Sequence, residues 1–351
     1  MIIEASDNRL LYSGRIGKTK EGLPLFVYPA TSVTVRFKAR KITAVIRARC
    51  EYWDAYIGYI IDGVHGKLKI NEGVNSLLLA DFPGDSTHEL MLYKRQDSCN
   101  RIVFEKFVIE GDEPEIIEGL KAPVRRIEVY GDSVSAGEVS EAIEYTGKTD
   151  PMHNGEFSDA YYSFAWMTAR QLNARIHDIA QGGIALDHGT GWFHEGDKGG
   201  AIGMWDIYDK ISYDPFYGEI SYWDFGQYIP HVVLLAIGQN DAHPYDFMAD
   251  DYDGNRADAW RRSYGAFLAR LREIYPEALI ISMTTLLDHD EAWDRAIREV
   301  SMNPGDPKIV NYRFERNGKA TPGHLRISEA KEMADELSSF IDSFGPSVWE
   351  S

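Results

Sequence analysis

The sequence has very few cysteines. Cys50 and Cys99 are the only two among 351 residues, and they lie far apart without the spacing of a metal site. We expect both to remain thiols in a reducing compartment and to be buried as small hydrophobic side chains.

Long apolar segments are also missing. The chain opens with MIIEASDNRL, which has an acid at Glu4 and no apolar stretch, so it does not resemble a secretory signal. Nothing later approaches the ~18 consecutive apolar residues that a membrane-spanning helix needs. These two absences predict a cytoplasmic protein without a membrane span.

Basic residues are in the minority and do not cluster. The chain has 37 Lys and Arg against 55 Asp and Glu, which gives a formal net charge of -18 at pH 7. Such a charge repels the phosphates of nucleic acids and anionic lipid. We therefore expect neither nucleic acid nor membrane surfaces as partners.

Length and composition indicate two globular domains. Hydrophobic residues make up 44% of the chain and charged residues 26%, as in ordinary soluble proteins. A chain of 351 residues also exceeds the size at which a single hydrophobic core usually stops growing.

The first third of the chain alternates apolar and polar residues with a period of two. In residues 33–37 and 42–48, Val, Phe, Ile and Ala alternate largely with Thr and Arg, the pattern of antiparallel strands with one wet face. The turn pair Asp62-Gly63 follows another such strand, and no convincing long helix interrupts the series. We predict an all-β domain over residues 1–118, a β-sandwich of the jelly-roll type.

After a linker at residues 111–123, apolar strands alternate with amphipathic helices. The predicted strands are RRIEVYG, RIHDIA, HVVLLAIG, ALIISMT and KIVNYRF. Helices are predicted to open at Ser158 and to span residues 260–274, 290–300 and 327–341. Such alternation builds a parallel sheet with helices on both faces. We predict a doubly wound α/β domain over residues 119–351.

The first strand of this domain ends in Gly131-Asp132-Ser133, at the edge where doubly wound sheets bind ligands. Two familiar motifs do not fit the segment. A phosphate-binding loop needs a Lys where Glu138 stands. The nucleophile elbow of α/β-hydrolases needs a Gly where Ser135 stands. The Gly-Asp-Ser sequence itself is therefore the motif to explain.

Four short blocks follow one another along the second domain: Gly131-Asp132-Ser133, then AQGGIAL, then GQND, then TPGHL. In this order they resemble the four blocks of the SGNH (GDSL) hydrolases. The segments LYSGRIG, SVTVRFKA, YIIDG and YKRQD of the β half, with RRIEVYGDSVSAGE, are similar to carbohydrate esterase family 2. The resemblance covers nearly the whole chain. It implies a jelly-roll domain joined to an SGNH esterase domain with a flavodoxin-like sheet.

The resemblance assigns the catalytic roles to Ser133 and His324. A serine hydroxyl needs a neighbouring base to become a good nucleophile, and histidine, with an ordinary pKa near ~6.5, suits that task at neutral pH. Ser133 is the expected nucleophile. His324 is the expected base because it lies in a Pro-Gly loop before the final helix, where SGNH enzymes carry theirs.

The family pattern also implies three hydrogen-bond donors for the oxyanion. They are the backbone N–H groups of Ser133 and Gly182 and the side-chain amide of Asn240. Gly182 is preferred to Gly183 because the matching family glycine comes first in its block. Gln239 replaces the Thr that is usual in the family.

One part of the family pattern is missing. SGNH enzymes usually place an Asp two or three residues before the histidine, and Pro322 and Thr321 occupy those positions here. Either the site is a Ser-His dyad, or an acid elsewhere substitutes. Candidates are Asp288, Asp290 and Glu291 after a predicted strand, although acids at a helix start commonly serve as caps.

Aromatic side chains are expected to bind the sugar. Trp192, Trp205 and Trp223 come from the segment near the carboxyl edge of the predicted sheet, and flat indole rings can stack on pyranose rings. No metal or other cofactor is expected. The spacing of His188, His194, Glu195 and Asp197 matches no familiar metal site, and a serine esterase needs no metal.

These features predict an acetyl esterase that removes O-acetyl groups from hemicellulose oligosaccharides of the xylan or mannan type. The resemblance also suggests a preference for the sugar 6-position. Two alternatives are a lipase or thioesterase of the same superfamily, which would cleave longer acyl chains, and a non-catalytic carbohydrate-binding protein. The β half is compatible with sugar binding, with covering the active site, or with a homo-oligomer interface.

Overall fold

The structure, a computed structural model, describes residues 1–193, 201–213, 220–303 and 305–350. Within these ranges, the first third of the chain forms a ten-stranded antiparallel sheet. The remainder forms a five-stranded parallel sheet with helices on both faces, together with a separate two-stranded pair.

The antiparallel sheet consists of β1 (Ile2–Glu4), β2 (Leu11–Ser13), β3 (Ile16–Lys18), β4 (Pro24–Phe26), β5 (Ser32–Cys50), β6 (Ala55–Ile61), β7 (Val64–Ile70), β8 (Gly73–Lys94), β9 (Asn100–Glu110) and β10 (Glu115–Ile117). Its path runs β3-β4-β9-β5-β8-β6-β7, with β1 beside β9 and with β2 and β10 beside β5. The prediction of an antiparallel β domain is confirmed, whereas its jelly-roll connectivity stays a prediction.

The long strand β5 changes the face that it buries halfway along its length. Odd-numbered side chains are buried from Val33 to Ala39, and even-numbered ones from Ile42 to Ala48. The change coincides with a shift in the pairing of β5 with β8 between Ala39 and Lys41. Ala39 pairs with Ser86 and Lys41 with Asp81, so the residues in surplus belong to β8. At an irregularity of this kind a strand can change the face that it buries. The two alternating segments in the sequence are therefore one strand whose pairing with β8 is irregular near its middle.

The parallel sheet consists of β11 (Arg125–Gly131), β12 (Ala174–Ala180), β15 (Val232–Ala236), β16 (Leu279–Ser282) and β17 (Ile309–Asn311). The separate pair is formed by β13 (Lys210–Ser212) and β14 (Ser221–Tyr222). The order of the parallel strands is β12-β11-β15-β16-β17. Counted from the first strand of this sheet, that is 2-1-3-4-5, the flavodoxin-like order of doubly wound sheets.

The α-helices are α1 (Ser133–Ala136), α2 (Phe164–Gln171), α3 (Met204–Ile207), α4 (Phe247–Asp250), α5 (Asn255–Ile274), α6 (Glu291–Met302) and α7 (Ile327–Asp342). Short 3-10 helices occur at Ile143–Tyr145, Ala160–Tyr162, Phe225–Gln227, Asn240–Ala242 and Pro346–Trp349. The helix predicted to open at Ser158 begins at Phe164. Ser163 is its N-cap, and its hydroxyl accepts a hydrogen bond from the N–H of Trp166 at 3.2 Å.

Alternate residues of the parallel strands pack against opposite helix layers. Tyr130 and Leu235 belong to the core that includes α5 and α6. Val129 and Leu234, their neighbours in sequence, belong to the core that includes α2 and α7. The sheet is thus buried on both faces, which explains why its strands read as continuous apolar runs.

A buried ion pair joins the two halves of the molecule. The guanidinium of Arg15, in the loop before β3, lies 3.4 Å from the carboxylate of Glu128 in β11, and both side chains are fully buried. Arg15 also donates to the carbonyl oxygens of Tyr208 at 2.6 Å and Lys210 at 3.2 Å. The hydroxyl of Tyr275 donates to Glu128 at 2.7 Å. The two halves therefore share a packed interior. The division at residues 118 and 119, in the connection between β10 and β11, stays a prediction.

The cysteines are free thiols, with Cys99 buried and Cys50 half-buried. The expected burial is thus confirmed for Cys99 and only partly for Cys50. No helix in the described ranges has the length and apolar character needed to cross a membrane.

Candidate active site

Ser133 is presented by a sharp turn directly after β11. Asp132 caps α1 and accepts a hydrogen bond from the N–H of Val134 at 2.9 Å. Gly137 ends the helix with a φ of 72°, and a Cβ there would lie 2.4 Å from the carbonyl oxygen of Asp159. Only glycine fits this position. The turn therefore leaves Ser133 at the carboxyl edge of the sheet, where doubly wound folds bind ligands.

His324 meets Ser133 at this edge. The distance between His324 Nε2 and Ser133 Oγ is 2.8 Å, although 191 residues separate them in the chain. Burial by itself lowers the pKa of His324, but the carboxylates of Glu138 and Asp150 raise it to about 9. The structure thus brings together the two residues that the sequence suggested as nucleophile and base.

Asp150 is the acid that orients His324. Its Oδ2 lies 2.6 Å from His324 Nδ1. Its Oδ1 accepts from the backbone N–H of His324 at 2.9 Å and from the guanidinium of Arg326 at 2.7 Å. Burial opposes ionisation, yet the hydrogen bonds from His324 and Arg326 lower the pKa of Asp150 well below its usual range. Ser133, His324 and Asp150 therefore form a hydrogen-bonded triad of the kind known from serine hydrolases.

Sequence reasoning did not identify Asp150. Of the two alternatives left open, the structure supports an acid elsewhere in the chain rather than a dyad. None of the three acids considered before is that residue. Asp290 caps α6 and accepts a hydrogen bond from the N–H of Ala292 at 2.9 Å. Glu291 lies in the first turn of α6, and Asp288 is exposed. Asp150 lies 174 residues before His324, in the long connection between β11 and α2, so no spacing rule links the two.

The two other expected oxyanion residues lie beside this triad, and both are already hydrogen-bonded. The N–H of Gly182 donates to Asp97 Oδ2 at 2.9 Å, and its expected contact with an oxyanion stays a prediction. Asn240 Nδ2 donates to the carbonyl oxygen of Ile184 at 3.0 Å and to Asp132 Oδ2 at 3.2 Å. A carboxylate from the β domain is thus the hydrogen-bond partner of Gly182.

What Gly182 does supply is space. A Cβ at this position would lie 2.8 Å from Asp97 Oδ2 and 2.9 Å from Glu138 Oε2. The same Cβ would be 3.9 Å from the Cβ of Ser133, so the glycine borders the nucleophile directly. Any larger residue would displace the two carboxylates.

Asp132 and Asp241 hold the loops that carry the motif residues, as expected. Besides the cap of α1, Asp132 accepts a hydrogen bond from Gln239 Nε2 at 2.9 Å, which gives Gln239 a part in fixing Asp132. Asp241 accepts from the N–H of Leu186 at 3.0 Å and from Trp260 Nε1 at 2.7 Å. Burial raises the pKa of Asp241 to about 7.

Glu138 is a further carboxyl group at the site. Its two oxygens lie 3.9 Å from His324 Nε2 and 3.9 Å from His153 Nε2. Burial raises the pKa of Glu138 to about 7, an effect that nearby Asp97 strengthens and His324 opposes. Above neutral pH this group adds negative charge next to the imidazole of His324. The sequence pattern gave no reason to single it out.

Of the three tryptophans expected to bind sugar, only Trp192 has an open ring near the site. It is 61% exposed and stacks on His243 with ring centroids 3.4 Å apart. A Cβ added to Gly183 would lie 2.8 Å from the Cβ of Trp192. Trp192 is therefore next to the turn that borders Ser133.

Trp223 is buried and Trp205 is half-buried, so neither ring is as open as that of Trp192. Trp205 Nε1 donates to Ser263 on α5 at 3.0 Å, and its ring meets Phe267 edge-on at 4.9 Å. Trp223 is 8% exposed, with the guanidinium of Arg15 at 5.4 Å from its ring. No contact among the described residues links either ring to Ser133 or to its partners.

Trp53 of the β domain is an aromatic residue that the sequence analysis missed. Its ring is partly exposed and meets His153 and Tyr52 edge-on at 5.0 Å and 5.6 Å. It lines a cavity of about 10 Å³, room for a single water, together with Asp97 and Glu138. The β domain therefore forms one side of the site.

The histidine-acid cluster noted in the sequence is only partly described. His194, Glu195 and Asp197 lie outside the described residues, and His188 Nδ1 lies 3.1 Å from Asp206. In the ranges that the structure covers, no group of three or more His, Cys, Asp or Glu side chains is arranged to hold a metal ion.

The flavodoxin-like sheet, with Ser133 after its first strand and His324 before its last helix, is the SGNH type of α/β fold. Comparisons with known proteins extend this assignment. Residues 12–115 match the family model of the carbohydrate esterase 2 N-terminal domain. The family described by that model is the one that the sequence motifs resemble, and the resemblance is confirmed.

Two relatives and one solved structure are similar to the chain beyond its first third. The chain is 25% identical over 344 residues to the cellulase/esterase CelE of Acetivibrio thermocellus, with 95% of this chain and 39% of the relative covered. It thus spans well under half the length of that protein. It is 24% identical over 281 residues to the acetylxylan esterase / glucomannan deacetylase of Cellvibrio japonicus, with 80% of this chain and 72% of the relative covered. The structure of a family two carbohydrate esterase from Cellvibrio japonicus has the same fold, with a TM-score of 0.80, 22% identity, and 100% of this chain and 98% of that chain covered.

Proposed function

We propose that this protein is a carbohydrate acetyl esterase that works through an acetyl-enzyme on Ser133. The observation that carries the proposal is the pair of hydrogen bonds that joins Asp150 to His324 at 2.6 Å and His324 to Ser133 at 2.8 Å. This is the arrangement that activates a serine hydroxyl as a nucleophile. The name of a relative, acetylxylan esterase / glucomannan deacetylase, supports acetyl groups on hemicellulose sugars as the substrate.

In the first half of the reaction, Ser133 Oγ attacks the acetyl carbonyl while His324 Nε2 takes its proton. Asp150 stabilises the imidazolium that forms. His324 then gives the proton to the oxygen of the departing sugar, the ester bond breaks, and the acetyl group stays on Ser133. In the second half, His324 removes a proton from water, which attacks the acetyl carbonyl. The bond between the acetyl carbon and Ser133 Oγ then breaks, His324 returns its proton to Ser133 Oγ, and acetate leaves.

The oxyanion of each tetrahedral intermediate is held by the backbone N–H of Ser133 and the amide of Asn240. Asn240 Nδ2 exchanges its 3.2 Å bond to Asp132, the longer of its two, for a bond to the oxyanion. Catalytic hydrogen bonds commonly tighten only when substrate or transition state is bound. The N–H of Gly182 stays with Asp97, and the missing side chain of Gly182 leaves room for the acetyl group.

The substrate is an acetylated oligosaccharide of the xylan or mannan type. Its sugar rings lie on the exposed face of Trp192 and against Trp53, the two partly open indole rings described beside the site. The preference for the 6-position belongs to the same proposal, because an acetate on an exocyclic carbon stands farther from the ring and reaches Ser133 with less of the sugar inside the site.

The test is mass spectrometry of a panel of acetylated xylo- and manno-oligosaccharides, with acetyl loss followed by position. The wild type is expected to remove O-acetyl groups, with the 6-position fastest, and Ser133→Ala is expected to remove none while remaining folded. A Ser133→Ala variant with wild-type turnover would remove this serine from the mechanism.

Two further measurements separate the alternatives. In a series of aryl esters, activity that rises from acetate to octanoate would favour a lipase or thioesterase over an acetyl esterase. A fluorophosphonate probe labels activated serines, so the absence of Ser133-dependent labelling would favour a non-catalytic carbohydrate-binding protein.

A further inference from the structure

The β domain sends a short buried connection to the catalytic edge of the parallel sheet. We call residues 95–99, between β8 and β9, the clamp segment. Asp97 at its centre is only 5% exposed. The segment is shaped by the ammonium group of Lys94, which donates to the carbonyl oxygens of Gln96, at 2.9 Å, and Asp97, and to Asn100 Oδ1 at 2.9 Å. The backbone of the clamp segment is therefore fixed from within the β domain.

Asp97 binds the turn that follows β12. Its Oδ2 accepts hydrogen bonds from the N–H of Gly182 at 2.9 Å and from Gln181 Nε2 at 2.7 Å. Its Oδ1 accepts from the N–H of Cys99 at 3.0 Å, and the hydroxyl of Tyr52 is 3.4 Å away. Hydrogen bonds to an ionised carboxylate are stronger than those between neutral groups. The carboxylate thus links the β domain directly to the catalytic domain.

Gln181 completes the contact from the other side. It is fully buried, and its Oε1 accepts hydrogen bonds from the hydroxyls of Ser98 at 2.5 Å and Tyr213 at 2.9 Å. A buried polar network whose members all have partners is rigid. The clamp segment and the turn therefore behave as one body.

The turn that Asp97 binds, from Gln181 to Ile184, borders both Ser133 and the side-chain amide of Asn240. The N–H of Ile184 donates to the carbonyl oxygen of Gln181 at 3.3 Å, which closes the turn. The carbonyl oxygen of Ile184 in turn accepts the 3.0 Å hydrogen bond of Asn240 Nδ2. At the other end of the turn, a Cβ on Gly182 would be 3.9 Å from the Cβ of Ser133. A shift of the turn would move the wall next to Ser133 and the amide of Asn240 together.

We propose that Asp97 is a positioning residue for the reaction: it fixes the Gln181–Gly182 turn and, through Ile184, the amide of Asn240. The inference rests on the proposed function. It gives the β domain a part in assembling the active site, beyond any binding of sugar. Because the amide of Asn240 acts on the oxyanion, which exists only in the transition state and the intermediates, loss of Asp97 lowers kcat and leaves KM nearly unchanged.

The test is the hydrolysis of 4-nitrophenyl acetate by Asp97→Ala. We expect kcat to fall by between about tenfold and about a hundredfold, the size of effect that a displacement of reacting groups by about 1 Å produces. Asp97→Asn should lose less, since its amide oxygen can still accept from Gly182 and Gln181, and only the hydrogen bond from the N–H of Cys99 is lost because the NH2 cannot accept it. Asp112→Ala, which removes an exposed acid of the same domain, should leave kcat unchanged.

A double variant separates positioning of Asn240 from a general loss of structure. If Asp97 acts through Asn240, Asp97→Ala costs much less in kcat when Asn240 is already alanine. Additive losses in the double variant would overturn the inference. So would a folded Asp97→Ala with the wild-type kcat, or one in which only KM rises. If Asp97→Ala does not fold, Asp97→Asn decides by the same criteria. A wild type without Ser133-dependent hydrolysis would instead refute the proposed function itself.

Discussion

Replacement of Asp150 by asparagine is expected to move the ring proton of His324 from Nδ1 to Nε2. Asp150 Oδ1 accepts hydrogen bonds from two groups that can only donate, the backbone N–H of His324 and the guanidinium of Arg326. The asparagine oxygen therefore takes the place of Oδ1, and its NH2 faces His324 Nδ1. Nδ1 then accepts a hydrogen bond, and the ring proton moves to Nε2, which faces Ser133 Oγ at 2.8 Å.

An imidazole with its proton on Nε2 cannot accept the proton of Ser133. General base catalysis contributes a factor of about 10²–10⁴, and the corresponding exchange in the triad of a serine protease lowers kcat by about 10⁴. We expect kcat/KM of Asp150→Asn to fall by about 10²–10⁴, equivalent to roughly 3–5 kcal/mol in the transition state. Asp150→Ala should lose less, because a water in the vacated space can accept from the Nδ1–H.

The assay is the initial rate of 4-nitrophenyl acetate hydrolysis, with urea unfolding to verify that each variant is folded. Asp288→Asn is the matched control, since Asp288 is an exposed acid whose backbone N–H donates to the carbonyl oxygen of Thr321 at 2.8 Å, in the segment that leads to His324. Wild-type kcat/KM in folded Asp150→Asn, or an equal loss in Asp288→Asn, would refute the reasoning.

Three further predictions concern neighbouring groups. Glu138→Gln should move the acid limb of the kcat/KM profile to lower pH, because loss of its charge lowers the pKa of His324 from about 9; an unmoved limb contradicts this. Asn240→Ala should lower kcat by about 10²–10³ with little change in KM, and a change confined to KM would exclude an oxyanion role. Arg15→Met should lower the free energy of unfolding by about 3–5 kcal/mol in urea titrations, because Glu128 would stay buried without its partner; a loss below about 1 kcal/mol contradicts this.

Two variants serve as matched controls for these predictions. Glu144→Gln neutralises an exposed acid close in sequence to Glu138 and should leave the pH profile unchanged. Arg36→Met breaks an exposed ion pair with Glu89 and should cost less than about 1 kcal/mol of unfolding free energy, since solvent screens such pairs.

The sequence by itself determined the order of elements and two members of the triad. Period-two alternation marked the antiparallel strands, and the change to apolar runs between amphipathic helices marked the parallel sheet. These patterns are local, so they can be read without knowing which strands are neighbours. Ser133 and His324 were suggested by the resemblance to the SGNH hydrolases, in which each lies in a short motif at a fixed place, one after the first parallel strand and the other before the last helix.

Only the tertiary structure decided which other groups surround Ser133. Asp150 comes from a long connection without periodicity, and Asp97 and Trp53 come from the other domain, so no spacing in the sequence could point to them. Trp205 and Trp223 show the converse, because their place in the sequence suggested sugar platforms, whereas Trp223 is buried and Trp205 is half-buried against α5.

The physical reason is the same in each case. Local patterns reflect the period of the backbone and the need of each element to bury one face, which every segment carries in its own residues. The partners of a catalytic group depend on where distant loops are held by docking between the domains. That placement is a property of the packed molecule and not of any single segment.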